Sequence, residues 1–119
     1  MSKTTLYHNQ QCSKSRAALA ILEASGIVFT TRLYLEEQLS SQEIEQLLAM
    51  LGLPPRALIR AGEAMIKDRG IDIENLEDAA LIALMTLHPI LIERPLLVHD
   101  GRATIGRPIE NVRALIGVN

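Results

Sequence analysis

The chain has 119 residues, 48% hydrophobic and only 3% aromatic, which makes it too apolar for disorder and long enough for one domain, 1–119, with a core of Leu, Ile, Val, Ala and Met. Its formal net charge of −2 argues against a nucleic-acid binder working by bulk electrostatics, while leaving room for a local basic pocket. A single cysteine excludes an internal disulfide framework and a four-cysteine metal site.

From the N-terminus, Lys3 is followed by too few apolar residues before His8 for a signal peptide, and no later apolar run approaches membrane-spanning length. A cytoplasmic protein without membrane or nucleic-acid partners is therefore expected. Thr5-Leu6-Tyr7 is β-favouring, and Leu6-Tyr7-His8 ends a first strand. After a polar loop, the strong helix formers Ala17 to Leu22 predict a helix from Ser13 or Lys14 to Ser25, with Gly26 as its stop. The β-branched and aromatic run Ile27 to Tyr34 predicts a second strand. Strand, helix and strand in about 30 residues form a βαβ unit with parallel strands.

Ser40 with Glu43 reads as a capping box, opening a helix with Ile44, Leu47, Leu48 and Leu51 on one face and Gly52 at its end. Pro54-Pro55 starts a short turn through Ala57, Leu58 and Ile59. Glu63 to Arg69 adds a helical turn stopped by Gly70, and Asn75 caps a helix from Leu76 to about His88 with Ala80, Leu84 and Leu87 on one face. His88-Pro89 ends it, and Ile90 to Pro95 is a connector with apolar anchors. Leu96 to His99 and Arg102 to Ile105 are strands joined by the hairpin signal Asp100-Gly101. A last helix, Ile109 to Ile116, follows Pro108 and stops at Gly117. The order gives an α/β fold: a small mixed sheet flanked by helices, in the thioredoxin-like arrangement, with a helical insertion at about 40–88.

The chemistry centres on Cys12. A lone cysteine is commonly a small core residue. Here every residue from His8 to Arg16 other than Cys12 is polar, which is not a core setting. A thiol at a strand-to-helix junction meets unpaired backbone N–H groups and the positive end of the helix dipole, which favour thiolate and also bind oxyanions. Ser13 and Ser15 can supply oxygens to the helix start. Ser15 either hydrogen-bonds the thiolate or caps the helix. Arg16 holds the loop, lowers the Cys12 pKa or packs its stem. His8, four residues upstream, either stabilises the thiolate as imidazolium or is a polar loop residue. A His8–Cys12 metal pair is not expected, because structural zinc takes four ligands and His88 and His99 lack a matching spacing. With Ser15 in the fourth position there is no Cys-x-x-Cys pair, so any second thiol must come from outside.

Four further stretches complete a pattern: Arg56-Ala57-Leu58-Ile59-Arg60, His88-Pro89-Ile90-Leu91-Ile92, Arg94-Pro95 and Gly106-Arg107-Pro108. Together with Tyr7-His8-Asn9, Cys12 and Ser15-Arg16, they make the chain resemble the arsenate reductase family that uses glutathione and glutaredoxin. The resemblance implies that Cys12 attacks arsenate and that Arg60, Arg94 and Arg107 hold the oxyanion. It implies glutathione as co-substrate, glutaredoxin as partner, no bound cofactor, and Pro95 as the cis-proline of a thioredoxin-like site. Each of the three arginines also stands beside a helix break or a proline. The chain departs from the family at Gln10-Gln11, where a proline is common, and at Ser13-Lys14, where Gly-Thr is common.

Other readings compete with this one. A thiol phosphatase usually places Arg six residues after Cys, but that position is Ala18. A non-enzymatic Spx-like regulatory module keeps the fold and drops the chemistry, although redox-sensing regulators of that type use a Cys-x-x-Cys pair. A glutathione-linked thiol oxidoreductase explains Cys12 and Ser15 but leaves three arginines without a task.

Overall fold

The computed structural model describes residues 4–118. In chain order its elements are β1 (Thr4–Tyr7), α1 (Ser13–Ser25), β2 (Thr30–Arg32), α2 (Ser41–Leu51), α3 (Pro55–Leu58), α4 (Ala64–Asp68), α5 (Asp78–Leu87), β3 (Leu96–His99), β4 (Arg102–Ile105) and α6 (Glu110–Ile116). Two further 3₁₀ turns cover Ile73–Asn75 and Pro89–Leu91. The contacts separate into two compact units. One comprises the residues up to Glu37 together with those from Arg94 onward, and the other is Gln38–Glu93.

The first unit is a four-stranded mixed sheet in the order β2-β1-β3-β4, with β1 parallel to β2 and antiparallel to β3, and β3 antiparallel to β4. The parallel β1–β2 pair is the βαβ unit read from the sequence. Leu6 and Leu97 sit opposite each other in the β1–β3 register, so both point to the same face. There they form a core with Ala18 and Leu22 of α1 and Val112 of α6, all fully buried. Asp100 and Gly101 both have positive φ, 51° and 79°, the pattern of a two-residue hairpin turn whose twist matches its strands. That chemistry is local, and β3 and β4 have the bounds expected.

Two boundaries differ. The second strand is Thr30–Arg32, paired with Thr5 to Tyr7 of β1, rather than the longer run to Tyr34 expected. Ile27 to Phe29 therefore precede the ladder, leaving Val28 91% exposed while Phe29 packs on the core. β-propensity measures fit to a paired surface and does not by itself set where a ladder begins. The last helix begins at Glu110, with Pro108 and Ile109 in the turn before it.

In the helical unit, the Ser40 hydroxyl accepts the Glu43 N–H at 3.1 Å, as the capping signal predicts, and α2 buries Ile44, Leu47 and Leu48. Pro55 occupies the first turn of α3, where its missing N–H has no cost. The expected start of the next long helix is overturned. Asn75 ends a 3₁₀ turn and bonds Asp72, and α5 begins only at Asp78. Its buried face is also different: Leu81 and Met85 are buried, whereas Leu87 is exposed. Arg56 holds the intervening turn by donating to the carbonyls of Ile73 and Leu76, at 3.4 and 2.8 Å. An antiparallel bridge between Ile59 and Ile92, flanked by Arg60 N–H to Leu91 and Glu93 N–H to Leu58, ties the end of α3 to the connector. Among the described residues, no helix is long and apolar enough to cross a membrane.

Candidate active site

The loop after β1 is shaped by its own polar side chains. His8 N–H extends the parallel ladder to the Arg32 carbonyl at 2.9 Å. Asn9 then turns the chain, its side-chain oxygen accepting the Gln11 N–H at 2.9 Å and its carbonyl accepting the Cys12 N–H at 3.0 Å, the local competition that makes Asn a turn former. Cys12 is extended and immediately precedes α1. Its carbonyl takes the first helical bond, from Arg16 N–H, while its side chain makes no capping bond. Sulfur thus occupies the position where helices usually place an oxygen.

Ser15 is fully buried, and its hydroxyl is engaged by the Asn9 N–H at 3.0 Å and by His8 Nδ1 at 2.6 Å. What Ser15 turns toward Cys12 is its backbone N–H. Burial, followed by the charge of Arg16, holds the His8 pKa below its ordinary value. The imidazole therefore favours its neutral form, the reverse of the imidazolium considered from sequence. Arg16 donates to the Gln10 carbonyl at 2.9 Å, which is the loop-holding role among those considered for it.

Half-buried Cys12 feels opposing forces. Burial pushes its pKa up. The Ser15 N–H, the Arg94 side chain and the Lys14 N–H pull it down, with the Arg94 charge adding to them, and the net result lies below the ordinary thiol value. Arg107 lies on the sulfur at longer range, Nη2 at 3.7 Å from Sγ, while its Nε donates to the Arg94 carbonyl at 2.6 Å. The sheet unit thus gathers Cys12, Arg94 and Arg107 from three separate segments. The Arg94–Pro95 and Arg107–Pro108 bonds are both cis, and Pro95 is buried. Gly106 N–H bonds the Pro95 carbonyl at 2.8 Å. A Cβ at Gly106 would come within 2.7 Å of Pro95 Cγ and 3.0 Å of Val112 Cγ2, so only glycine lets this segment lie against the proline.

Arg60 belongs to the helical unit. Its Nε contacts Glu63 at 2.9 Å and its Nη1 contacts Glu93 at 2.8 Å. Burial pulls its pKa down, but the two carboxylates outweigh that and raise it. Those carboxylates, the packing role of Gly106 and the contacts of Asn111 are not evident from sequence reading. Glu93 and the Pro95 packing of Gly106 depend on contacts distant in sequence, whereas Glu63, three from Arg60, and Asn111, four from Arg107, are local but carry no distinctive sequence signal.

A small cleft of about 120 Å³ beside the loop is lined by His8, Asn9, Gln10, Gln11, Leu33, Leu35 and Glu36. A larger groove of about 580 Å³, lined by Ala20, Ile21, Ala24, Ser25, Arg113 and Val118, lies toward the opposite end of α1 from Cys12. Among the described residues, no cluster of three or more His, Cys, Asp or Glu is placed to hold a metal ion.

Comparison with known proteins gives one consistent answer. The ArsC family profile matches residues 7–115. An arsenate reductase of Neisseria meningitidis serogroup A is 38% identical over 98% of this chain and its own full length. An arsenate reductase of Escherichia coli is 39% identical over 94% of this chain and 79% of its own. The structure of an arsenate reductase from Vibrio cholerae superposes with a TM-score of 0.88 at 43% identity, covering 94% of this chain and 96% of that one. With Cys12 at a strand-to-helix junction of a thioredoxin-like sheet and with these relatives, the chain belongs to the ArsC family.

Proposed function

We propose that this protein reduces arsenate to arsenite through the Cys12 thiolate, using glutathione as external reductant and glutaredoxin to regenerate the thiol in a reducing, cytoplasmic setting. The observation that carries the reading is a thiol whose pKa is lowered by Arg94 and backbone N–H groups, with the Arg107 guanidinium 3.7 Å from the sulfur. Arsenate carries about two negative charges at neutral pH, and guanidinium forks suit tetrahedral oxyanions. Arg94 and Arg107 hold it beside Cys12 in this reading, and the family resemblance adds Arg60.

The thiolate attacks arsenic, an S–As bond forms, and an arsenic hydroxyl takes a proton and leaves as water. Glutathione thiolate then attacks the Cys12 sulfur. An S–S bond forms, the S–As electron pair stays on arsenic, As(V) becomes As(III), and arsenite departs. The Cys12–glutathione disulfide is opened by a glutaredoxin thiol, which frees the Cys12 thiolate. Each turnover consumes two external thiols, as required of a chain with one cysteine.

The test couples arsenate, glutathione and glutaredoxin to NADPH oxidation, comparing wild type with Cys12→Ser. Arsenate-dependent oxidation should occur in the wild type and be lost in the variant. Equal rates would remove the thiol from the mechanism. Thiol–disulfide exchange at Cys12 without arsenate turnover would assign a glutathione-linked oxidoreductase instead.

A further inference from the structure

Arg107 is exposed and long, yet its guanidinium makes two directed contacts, to the Arg94 carbonyl and to Cys12 Sγ. A free arginine side chain has many rotamers, so such aim requires a fixed backbone beneath it. On one side the segment is fixed by Gly106, bonded to and packed against Pro95. On the other side, Asn111 in the first turn of α6 reaches back, its Nδ2 donating to the Ile105 carbonyl at 3.0 Å and, in a longer bond, to the Arg107 carbonyl at 3.4 Å. These carbonyls bracket Gly106-Arg107. One amide nitrogen therefore joins the end of β4 to the backbone of the arginine, and the Asn111 N–H bonds the Pro108 carbonyl at 3.0 Å. The geometry points to Asn111 as the positioning residue that aims Arg107 at the sulfur. It deepens the oxyanion-holding reading of Arg107, on which its catalytic meaning rests, but the aim itself can be measured without arsenate.

The probe is alkylation of Cys12 by anionic iodoacetate and neutral iodoacetamide, each expressed as the second-order rate constant of the thiolate. Their ratio reports positive charge at the sulfur. Arg107→Ala should lower the ratio by about threefold or more, the size of one partly screened charge a few ångströms away. Asn111→Leu, branched at the same carbon but without the donor, should lower it in the same direction. In the Arg107→Ala background, Asn111→Leu should change it no further, because the side chain being aimed is gone. Melting temperature is read alongside, since a purely structural asparagine would cost stability in both backgrounds and leave the ratio alone. An unchanged ratio in Asn111→Leu, an equal drop in both backgrounds, or no response to Arg107→Ala would each overturn the assignment. If Asn111→Leu does not fold, Asn111→Ala enters the same cycle. Absence of arsenate turnover would undermine the proposed reaction and leave this result standing.

Discussion

Side chains around Cys12 and around Arg60 are held by different kinds of partner. Beside the sulfur, His8 bonds the Ser15 hydroxyl, Arg16 the Gln10 carbonyl and Arg107 the Arg94 carbonyl. In the helical unit Arg60 meets the carboxylates of Glu63 and Glu93. A carbonyl fixes a guanidinium's direction without cancelling its charge. A carboxylate does both. The two regions thus differ in what fixes their guanidinium groups, backbone carbonyls beside the sulfur and carboxylates on Arg60, a distinction that a list of three oxyanion arginines conceals.

The sharpest way to break this contrast is Arg94→Ala. Loss of its hydrogen bond and charge should raise the Cys12 pKa, read from the pH dependence of alkylation, and should cost about 2–4 kcal/mol of transition-state stabilisation in arsenate kcat/KM. Arg107→Ala, which removes a guanidinium 3.7 Å from the sulfur, should raise that pKa by a smaller amount. Equal pKa shifts in the two variants would show that the guanidinium groups are interchangeable.

A smaller effect is expected from Glu93→Gln. If Arg60 serves the oxyanion, relieving one of its carboxylates should lower the arsenate KM by about threefold to fivefold, the scale of a partly exposed ion pair. A raised KM would make the Glu93 contact a support that keeps Arg60 in place. The smallest effect concerns His8. Its folded-state pKa lies below its ordinary 6.5, so the folded protein binds fewer protons than the unfolded chain there. That contribution to stability is complete above about pH 6.5 and is lost as pH falls through the folded pKa. Denaturant unfolding should therefore weaken on acidification more in wild type than in His8→Gln, and parallel curves would place the imidazole outside the linkage.

Sequence legibility followed the range of the interactions. The start of α1 after Cys12, its stop at Gly26, the Ser40 cap and the Asp100-Gly101 turn are all set within a few residues, and their bounds could be read directly. The second strand is shorter than its composition suggests, since the β character of Ile27 to Phe29 does not fix where the ladder starts. The buried face of α5 was misread because Ala79 to Met85 is almost continuously apolar, so hydrophobic spacing gives no phase to choose Leu81 and Met85 over Leu84 and Leu87. At the site, Cys12 stood out through its polar surroundings. The aim of Arg107 did not, since it depends on Pro95, Gly106 and Asn111 meeting in space. Nor did the neutral state of His8, since burial is a tertiary property.

Because α1 opens on a sulfur, the amide groups of Lys14 and Ser15 at its start favour the thiolate. In the proposed reaction, covalent modification of the sulfur removes the charge that those amides favour. Amide exchange at these two positions should then change with the state of the sulfur, without a reporter group.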